Sequence, residues 1–250
     1  YVDWREKGGV REGEAGSCGG ATGNVGNMLS AVYAKEMGLP IGRLLCASNS
    51  NNVLTDFIAT GKYDRNRPFY NTVSPSMDIL ISSNLERLLY LLSGGDDKLV
   101  AGYMKELSDT GCYQVSEEMR KKIQSVFVGG FSSEAETEAT IGKMMDEHKY
   151  LIDTHTAVAF HVLEQYRKDT GDQTKTVVAS TASPFKFCDA VLDALNVTDK
   201  ATGTALLDQL ADVSGMPAPQ PLATLKDKQV RFTSWTEKEQ MRAVVTDFLK

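Results

Sequence analysis

The string Thr22-Gly23-Asn24-Val25-Gly26-Asn27 constrains this chain more than any other, because it sets two glycines, two amides and a hydroxyl immediately before an apolar run of helical period. Met28, Leu29, Ala31, Val32 and Ala34 recur at helix spacing, and Lys35, Met37 and Gly38 read as a last turn and its cap. The motif therefore opens a helix. Glycines let the backbone approach a ligand closely, successive N–H groups can converge on an anion, and a helix start adds partial positive charge. Short glycine strings also occur as ordinary Gly/Asn turns, so the surrounding chain has to decide. Upstream, residues 1–20 hold Trp4, many charges and the run Gly13-Glu14-Ala15-Gly16-Ser17-Cys18-Gly19-Gly20, which lacks a β-branched strand signal.

With 250 residues and 42% hydrophobic content, the chain can bury a sizeable core as one large domain or two small ones. Its net charge of -6 without a basic run leaves no electrostatic footprint for nucleic acid, and no apolar stretch is long enough for a membrane span. Cys18, Cys46, Cys112 and Cys188 are scattered without Cys-x-x-Cys spacing. Free thiols in a reducing, cytoplasmic compartment are expected, and no metal site. The chain starts at Tyr1 with no charged-then-apolar leader, which reads as processing, trimming or a fragment.

Residues 43–47 suit a buried strand ending in Ser48-Asn49-Ser50-Asn51-Asn52, and Asn52 can cap a helix to 58 closed by Gly61. This alternation implies an α/β fold with a parallel sheet. Residues 63–75 read as loop, 76–81 as a brief extended piece, and Ser82-Ser83-Asn84 as the cap of a helix over 85–92 with Leu85, Leu88, Leu89 and Leu92 on one stripe. Further helices are expected over 98–108, closing near Gly111, over 117–126 behind Ser116, and over 134–147 with Ser133 and Glu136 as a capping box. The block shows no clear strand, so 69–149 reads as a helical insertion and 1–68 with 150–250 as the α/β domain. Strand character returns at 150–152, before Asp153-Thr154-His155-Thr156 and a helix over 157–167. It returns again at Thr176-Val177-Val178-Ala179, before Ser180-Thr181-Ala182-Ser183 and a helix from Pro184 to 195. Residues 215–221 form an irregular connector, 230–232 a last short strand, and Thr236 with Glu239 caps a final helix. No internal repeat is present.

The Gly-Asn loop, the 153–156 turn and the 180–183 turn are all polar and fall where an open α/β sheet forms its crevice, so one pocket can collect all three. His155 is read as satisfying its own turn, and His148 and His161 have weaker claims on chemistry. Gly23 and Gly26 alone do not make the G-x-G-x-x-G pattern of a nicotinamide enzyme. Ser180 and Ser183 lack the flanking glycines of a nucleophile elbow, which argues against serine hydrolysis.

Thr22-Gly23-Asn24-Val25-Gly26-Asn27 followed by Ala34-Lys35-Glu36-Met37-Gly38-Leu39-Pro40 resembles the phosphate loop and helix of threonine synthase. Similar to runs of that family, in the same order, are Ala47-Ser48-Asn49-Ser50-Asn51-Asn52, Ser74-Pro75-Ser76-Met77-Asp78-Ile79, Ser82-Ser83-Asn84-Leu85-Glu86-Arg87-Leu88-Leu89, Asp153-Thr154-His155-Thr156-Ala157-Val158 and Ser180-Thr181-Ala182-Ser183-Pro184-Phe185-Lys186-Phe187. The resemblance extends over nearly the whole chain. It implies a tryptophan-synthase-β-like fold, here incomplete, with an open, mostly parallel sheet flanked by helices. It also implies pyridoxal 5′-phosphate as cofactor, acting as electron sink in the conversion of O-phosphohomoserine and water to threonine and phosphate.

By motif, Gly23, Asn24, Val25, Gly26 and Asn27 would hold the cofactor phosphate, and Thr181, at the end of its strand, would face the pyridine nitrogen. Ser82, Ser83, Asn84 and Arg87 offer a second anion site for substrate by helix-N-terminus logic. The family carries its Schiff-base lysine in an N-terminal half, within a Phe-Lys-Asp type motif that this chain lacks, so no catalytic residue is assigned here. Lys35 and Lys186 are expected at the surface. The family's apolar strand before the loop is replaced by Ala15-Gly16-Ser17-Cys18-Gly19-Gly20-Ala21, expected to pack poorly. The implied reading is the C-terminal part of a threonine synthase, inactive by itself, whose partner is the missing N-terminal half of the same enzyme. The competing class is a non-catalytic, degenerate relative or module that binds phosphate-bearing metabolites.

Overall fold

The computed structural model describes Arg11 and residues 14–250; Trp4 and Gly13 lie outside them. Strand β1 (Gly16–Ala21) runs through the Gly-Asn loop into helix α1 (Gly26–Glu36), and β2 (Ile41–Ser48) leads to α2 (Val53–Thr60) and the short β3 (Lys62–Asp64). After a 3-10 turn at Pro75–Met77 come α3 (Leu85–Leu92), α4 (Asp97–Thr110), β4 (Cys112–Gln114), α5 (Glu117–Val126), β5 (Phe127–Phe131) and α6 (Glu134–His148). Then follow α7 (Thr154–Thr170), β6 (Thr176–Ala179), a 3-10 turn at Pro184–Lys186, α8 (Cys188–Ala194), α9 (Ala205–Ser214), α10 (Gln220–Ala223) and α11 (Met241–Phe248).

Four strands make a parallel sheet in the order β5-β2-β1-β6, with β3 and β4 as a separate antiparallel pair. Successive side chains of a strand face opposite sides. Leu44 and Cys46 of β2 accordingly join Met28, Leu29 and Val32 of α1 and Phe57 of α2, while Ala47 joins Val158, Ala159 and Val162 of α7 across the sheet. A further cluster through Ile141, Ile152, Val191, Leu192 and Leu210 ties α6, α8 and α9 together. The helix-flanked parallel sheet implied by the α/β alternation is the observed architecture. Among the described residues, no helix is long and apolar enough to cross a membrane.

The weak segment before the loop is nonetheless a central strand, hydrogen-bonded on both sides. A Cβ on Gly20 would lie 2.8 Å from Met28 Cε, and one on Gly130 of β5 would lie 2.6 Å from Val162 Cγ1. The space that strand side chains would fill is taken by α1 and α7. This corrects the expectation of a poorly packed strand, and it explains why β5, inside the block read as strandless, gave no strand signal. Bare strands here are packed by the helices above and below them.

Other boundaries also differ. Residues 150–152 form no strand; Leu151 and Ile152 are buried in a connection to α7, which starts at Thr154 because Asp153 accepts from the His155 and Thr156 N–H groups. Residues 76–81 hold a 3-10 turn and coil, and the region expected as one helix from Pro184 divides into a 3-10 turn and α8. Residues 230–232 are exposed coil, and the Thr236 hydroxyl approaches Gln240 Oε1 at 3.3 Å in place of capping a helix. Asn52 and Asn84 sit at helix starts without side-chain caps; Asn52 Oδ1 instead accepts from Arg67 Nη1 at 3.1 Å. Ser116 and the Ser133–Glu136 capping box form as expected. On α3, Leu85, Leu88 and Leu89 are buried and Leu92 is half-buried against the same core.

Candidate functional site

β1 ends at Ala21, and the chain turns over the carboxyl edge of the sheet. Thr22 N donates to Ala47 O at 2.9 Å, and the buried Thr22 Oγ1 accepts from Val25 N at 2.8 Å. This turn holds Val25 at φ 59°, a conformation that β-branched residues rarely adopt, and buries its side chain in the core. Val25 therefore shapes the loop without lining the cavity. The N–H groups of Gly23, Asn24, Gly26, Asn27 and Met28 have no acceptor among the described residues. Free N–H groups at the positive end of a helix form an anion cradle. Gly23 is fixed by packing, since its Cβ would lie 2.9 Å from Ile79 Cδ1 and 3.2 Å from the Met77 Cα.

The loop, Ser76, Met77, His155 and Thr181 line one cavity of about 260 Å³. Thr181 is exposed and lies two residues past β6, so it follows the strand instead of ending it. His155 belongs to the first turn of α7 and is 3% exposed, beside the fully buried Asp153. Asp153 Oδ1 accepts from His155 N at 2.9 Å and lies 3.1 Å from His155 Nδ1. The other ring nitrogen, Nε2, accepts from Ser76 N at 3.1 Å, so the ring proton sits on Nδ1 and is donated to the carboxylate. Burial pushes the Asp153 carboxyl up, but hydrogen bonds from His155 and Thr156 outweigh it and hold the group below its ordinary value. His155 thus satisfies its turn, as read from sequence, and also walls the cavity. His148 is exposed, and His161 Nε2 is buried 3.6 Å from Glu136 Oε1, both away from this site.

None of the four residues expected as a second anion site lines the loop's cavity. Ser83 N and Oγ both donate to Asn24 Oδ1 at 3.1 Å, and Asn84 Nδ2 lies 3.4 Å from the Cβ position of Gly26, so these two adjoin the loop. Ser82 Oγ is buried without a partner among the described residues. Arg87 instead lines a separate cavity of about 480 Å³ with Tyr33, Tyr90 and Met104. Lys186 is exposed, its Nζ 5.8 Å from the Phe187 ring, whereas Lys35 is half-buried and donates to the Gly42 carbonyl at 2.8 Å. That bond pins the end of α1 to the start of β2 and corrects the surface reading of Lys35. The amide-rich stretch after β2 serves as a tie: Asn49 Nδ2 donates to Asp78 Oδ1 at 2.8 Å and to Ser74 Oγ at 3.0 Å, fastening the 3-10 turn beneath the cavity wall. Sequence reasoning missed Ser76 and Met77 as lining residues. Their only signal was position inside the Ser74-to-Ile79 run.

The description "Threonine synthase, C-terminal" belongs to the family whose pattern matches residues 156–245. The chain is 41% identical over 198 residues to threonine synthase-like 1 of Homo sapiens, which covers 78% of this chain and 26% of that protein. Its fold is similar to a PLP-bound threonine synthase from Brucella melitensis (TM-score 0.79, 33% identity, 97% of this chain and 47% of that one). It is also similar to threonine synthase from yeast (TM-score 0.83, 29% identity, 99% of this chain and 50% of that one). The chain spans half or less of the length of these relatives.

Proposed function

We propose, from the premise that this chain is a C-terminal threonine synthase-like portion, that it builds the phosphate and ring-nitrogen side of a pyridoxal 5′-phosphate site. The enzyme it serves converts O-phosphohomoserine and water to threonine and phosphate. One observation carries the reading: the Gly-Asn loop and Thr181, far apart in sequence, line the same cavity. The residues fit the group. The unclaimed N–H groups of Gly23, Asn24, Gly26 and Asn27 would hold its phosphate, and the exposed Thr181 hydroxyl would face its ring nitrogen. When bound, the cofactor supplies an electron-withdrawing ring that stabilises negative charge on the substrate's carbons. A neutral hydroxyl beside the ring nitrogen stabilises less charge there than a carboxylate would. Ser83, bonded to the loop, and the neighbouring Asn84 would stand on the substrate side with Ser82; Arg87 lines a separate cavity. His155 has its Nε2 lone pair engaged by Ser76 and takes no proton from substrate.

The lysine that anchors the cofactor and the base it provides belong to an N-terminal half, so the chain alone lacks both. With added pyridoxal phosphate it should release no phosphate from O-phosphohomoserine. Release well above background would show that the other half is dispensable and overturn this part of the reading. Saturable binding of pyridoxal phosphate that is lost in Gly23→Val is expected, and equal binding by both proteins would remove the loop from the site.

A further inference from the structure

We propose that Asp153 is a positioning residue that fixes two walls of this cavity at once, the Ser76–Met77 wall through His155 and the Ser180–Thr181 wall through Thr156. The inference rests on the cofactor reading only for what the cavity holds. Each carboxylate oxygen has its own task. Oδ1 accepts from the His155 N–H at 2.9 Å, from the His155 ring at 3.1 Å and from the Thr156 N–H at 3.3 Å. Oδ2 accepts from the Thr156 hydroxyl.

The first arm ends on the Ser76 N–H, held at 3.1 Å by the far nitrogen of His155, whose ring packs at a tilt on Phe187 with centroids 4.8 Å apart. Met77, the next residue, presses on the phosphate loop where Gly23 has no side chain. The second arm ends on Ser180, 3.1 Å from Thr156 Oγ1. A threonine hydroxyl has one proton, and a carboxylate can only accept. Thr156 Oγ1 directs it between Asp153 Oδ2 and Ser180 Oγ, which share it as acceptors. Ser180 adjoins Thr181, and β6 has already ended at Ala179. Removing the carboxylate releases both arms; an asparagine would keep one acceptor oxygen, and its amide group could donate to Thr156 Oγ1 in place of accepting from it.

Amide spectra of the isotope-labelled 250-residue chain, without ligand, test this directly. Asp153→Ala should release both arms, shifting the amides of Ser180 and Thr181 together with those of Ser76 and Met77. Thr156→Val should shift Ser180 and Thr181 alone, Thr156→Ser should restore the wild-type spectrum, and His155→Leu should shift Ser76 and Met77 alone. Unmoved Ser180 and Thr181 amides in Thr156→Val, or equal shifts at both walls in that variant, would overturn the proposal. Should Asp153→Ala fail to fold, the Thr156→Val and Thr156→Ser pair decides by itself. Pyridoxal phosphate titration is the separate arm: Thr156→Val should weaken binding roughly tenfold, about the net contribution of one hydrogen bond, with rescue by Thr156→Ser. Correct amide patterns with no pyridoxal phosphate binding to the wild type would remove the cofactor reading and leave Asp153 in its role. Binding without those patterns would do the reverse.

Discussion

The two sides of the cavity are built by opposite means. The Gly-Asn loop offers backbone N–H groups and makes room by leaving side chains out, at Gly23 against Met77 and at Gly20 against Met28. The α7 side works through side chains, in a set of hydrogen bonds branching from one buried carboxylate. A wall of the first kind resists added volume where backbone lies opposite, as at Gly23, and a wall of the second kind resists the loss of an acceptor. Substitutions should separate them.

Asp153→Ala should show the largest effect, because it strips a helix cap, leaves the His155 ring without its acceptor and leaves the Thr156 hydroxyl with Ser180 alone. A loss of about 3 kcal/mol is expected in urea unfolding of the chain. A loss below about 1 kcal/mol would mean that the α7 side does not depend on this carboxylate. Gly23→Val comes next, at about 1–3 kcal/mol, because the backbone of Met77 cannot move aside as a flexible side chain would. If Gly23→Val is neutral, the loop is not volume-limited and the contrast between the walls fails.

Acid sharpens the comparison further. The Asp153 carboxyl titrates below its ordinary 3.8 in the folded chain, so the unfolded chain binds more protons just under that value. The stability it contributes is complete above the ordinary value and is lost as pH falls from about 4 through the lowered native value. The stability gap between wild type and Asp153→Asn should therefore narrow as pH drops below about 4, and a gap independent of pH would contradict the lowered carboxyl. Glu136 and Asp172 are also held low, and both are present in the two proteins, so the difference isolates Asp153. Gly26→Ala should be the smallest effect, within about 0.5 kcal/mol, since the added Cβ meets only the end of the Asn84 side chain at 3.4 Å.

Local rules written in consecutive residues were enough for much of this chain. The Gly-Asn loop opening a helix, the Ser133–Glu136 capping box, the Gly61 and Gly111 helix ends and the α3 leucine stripe each follow from spacing and backbone preference within a few positions. Strand β6 was legible for the same reason, because Thr176, Val177 and Val178 announce themselves without neighbours. The glycine-rich strands β1 and β5 were not, since their packing surface belongs to Met28 on α1 and Val162 on α7. Nor could the sequence show that Arg87 lines a different cavity from the Gly-Asn loop, that Lys35 pins a strand, or that Asp153 reaches Ser76 and Ser180 together. Local conformation depends on a residue and its near neighbours, so it is readable in one dimension. Which volumes are already filled, and which donors find an acceptor, depends on segments distant in sequence, and that only the folded arrangement of the sheet and its helices decides.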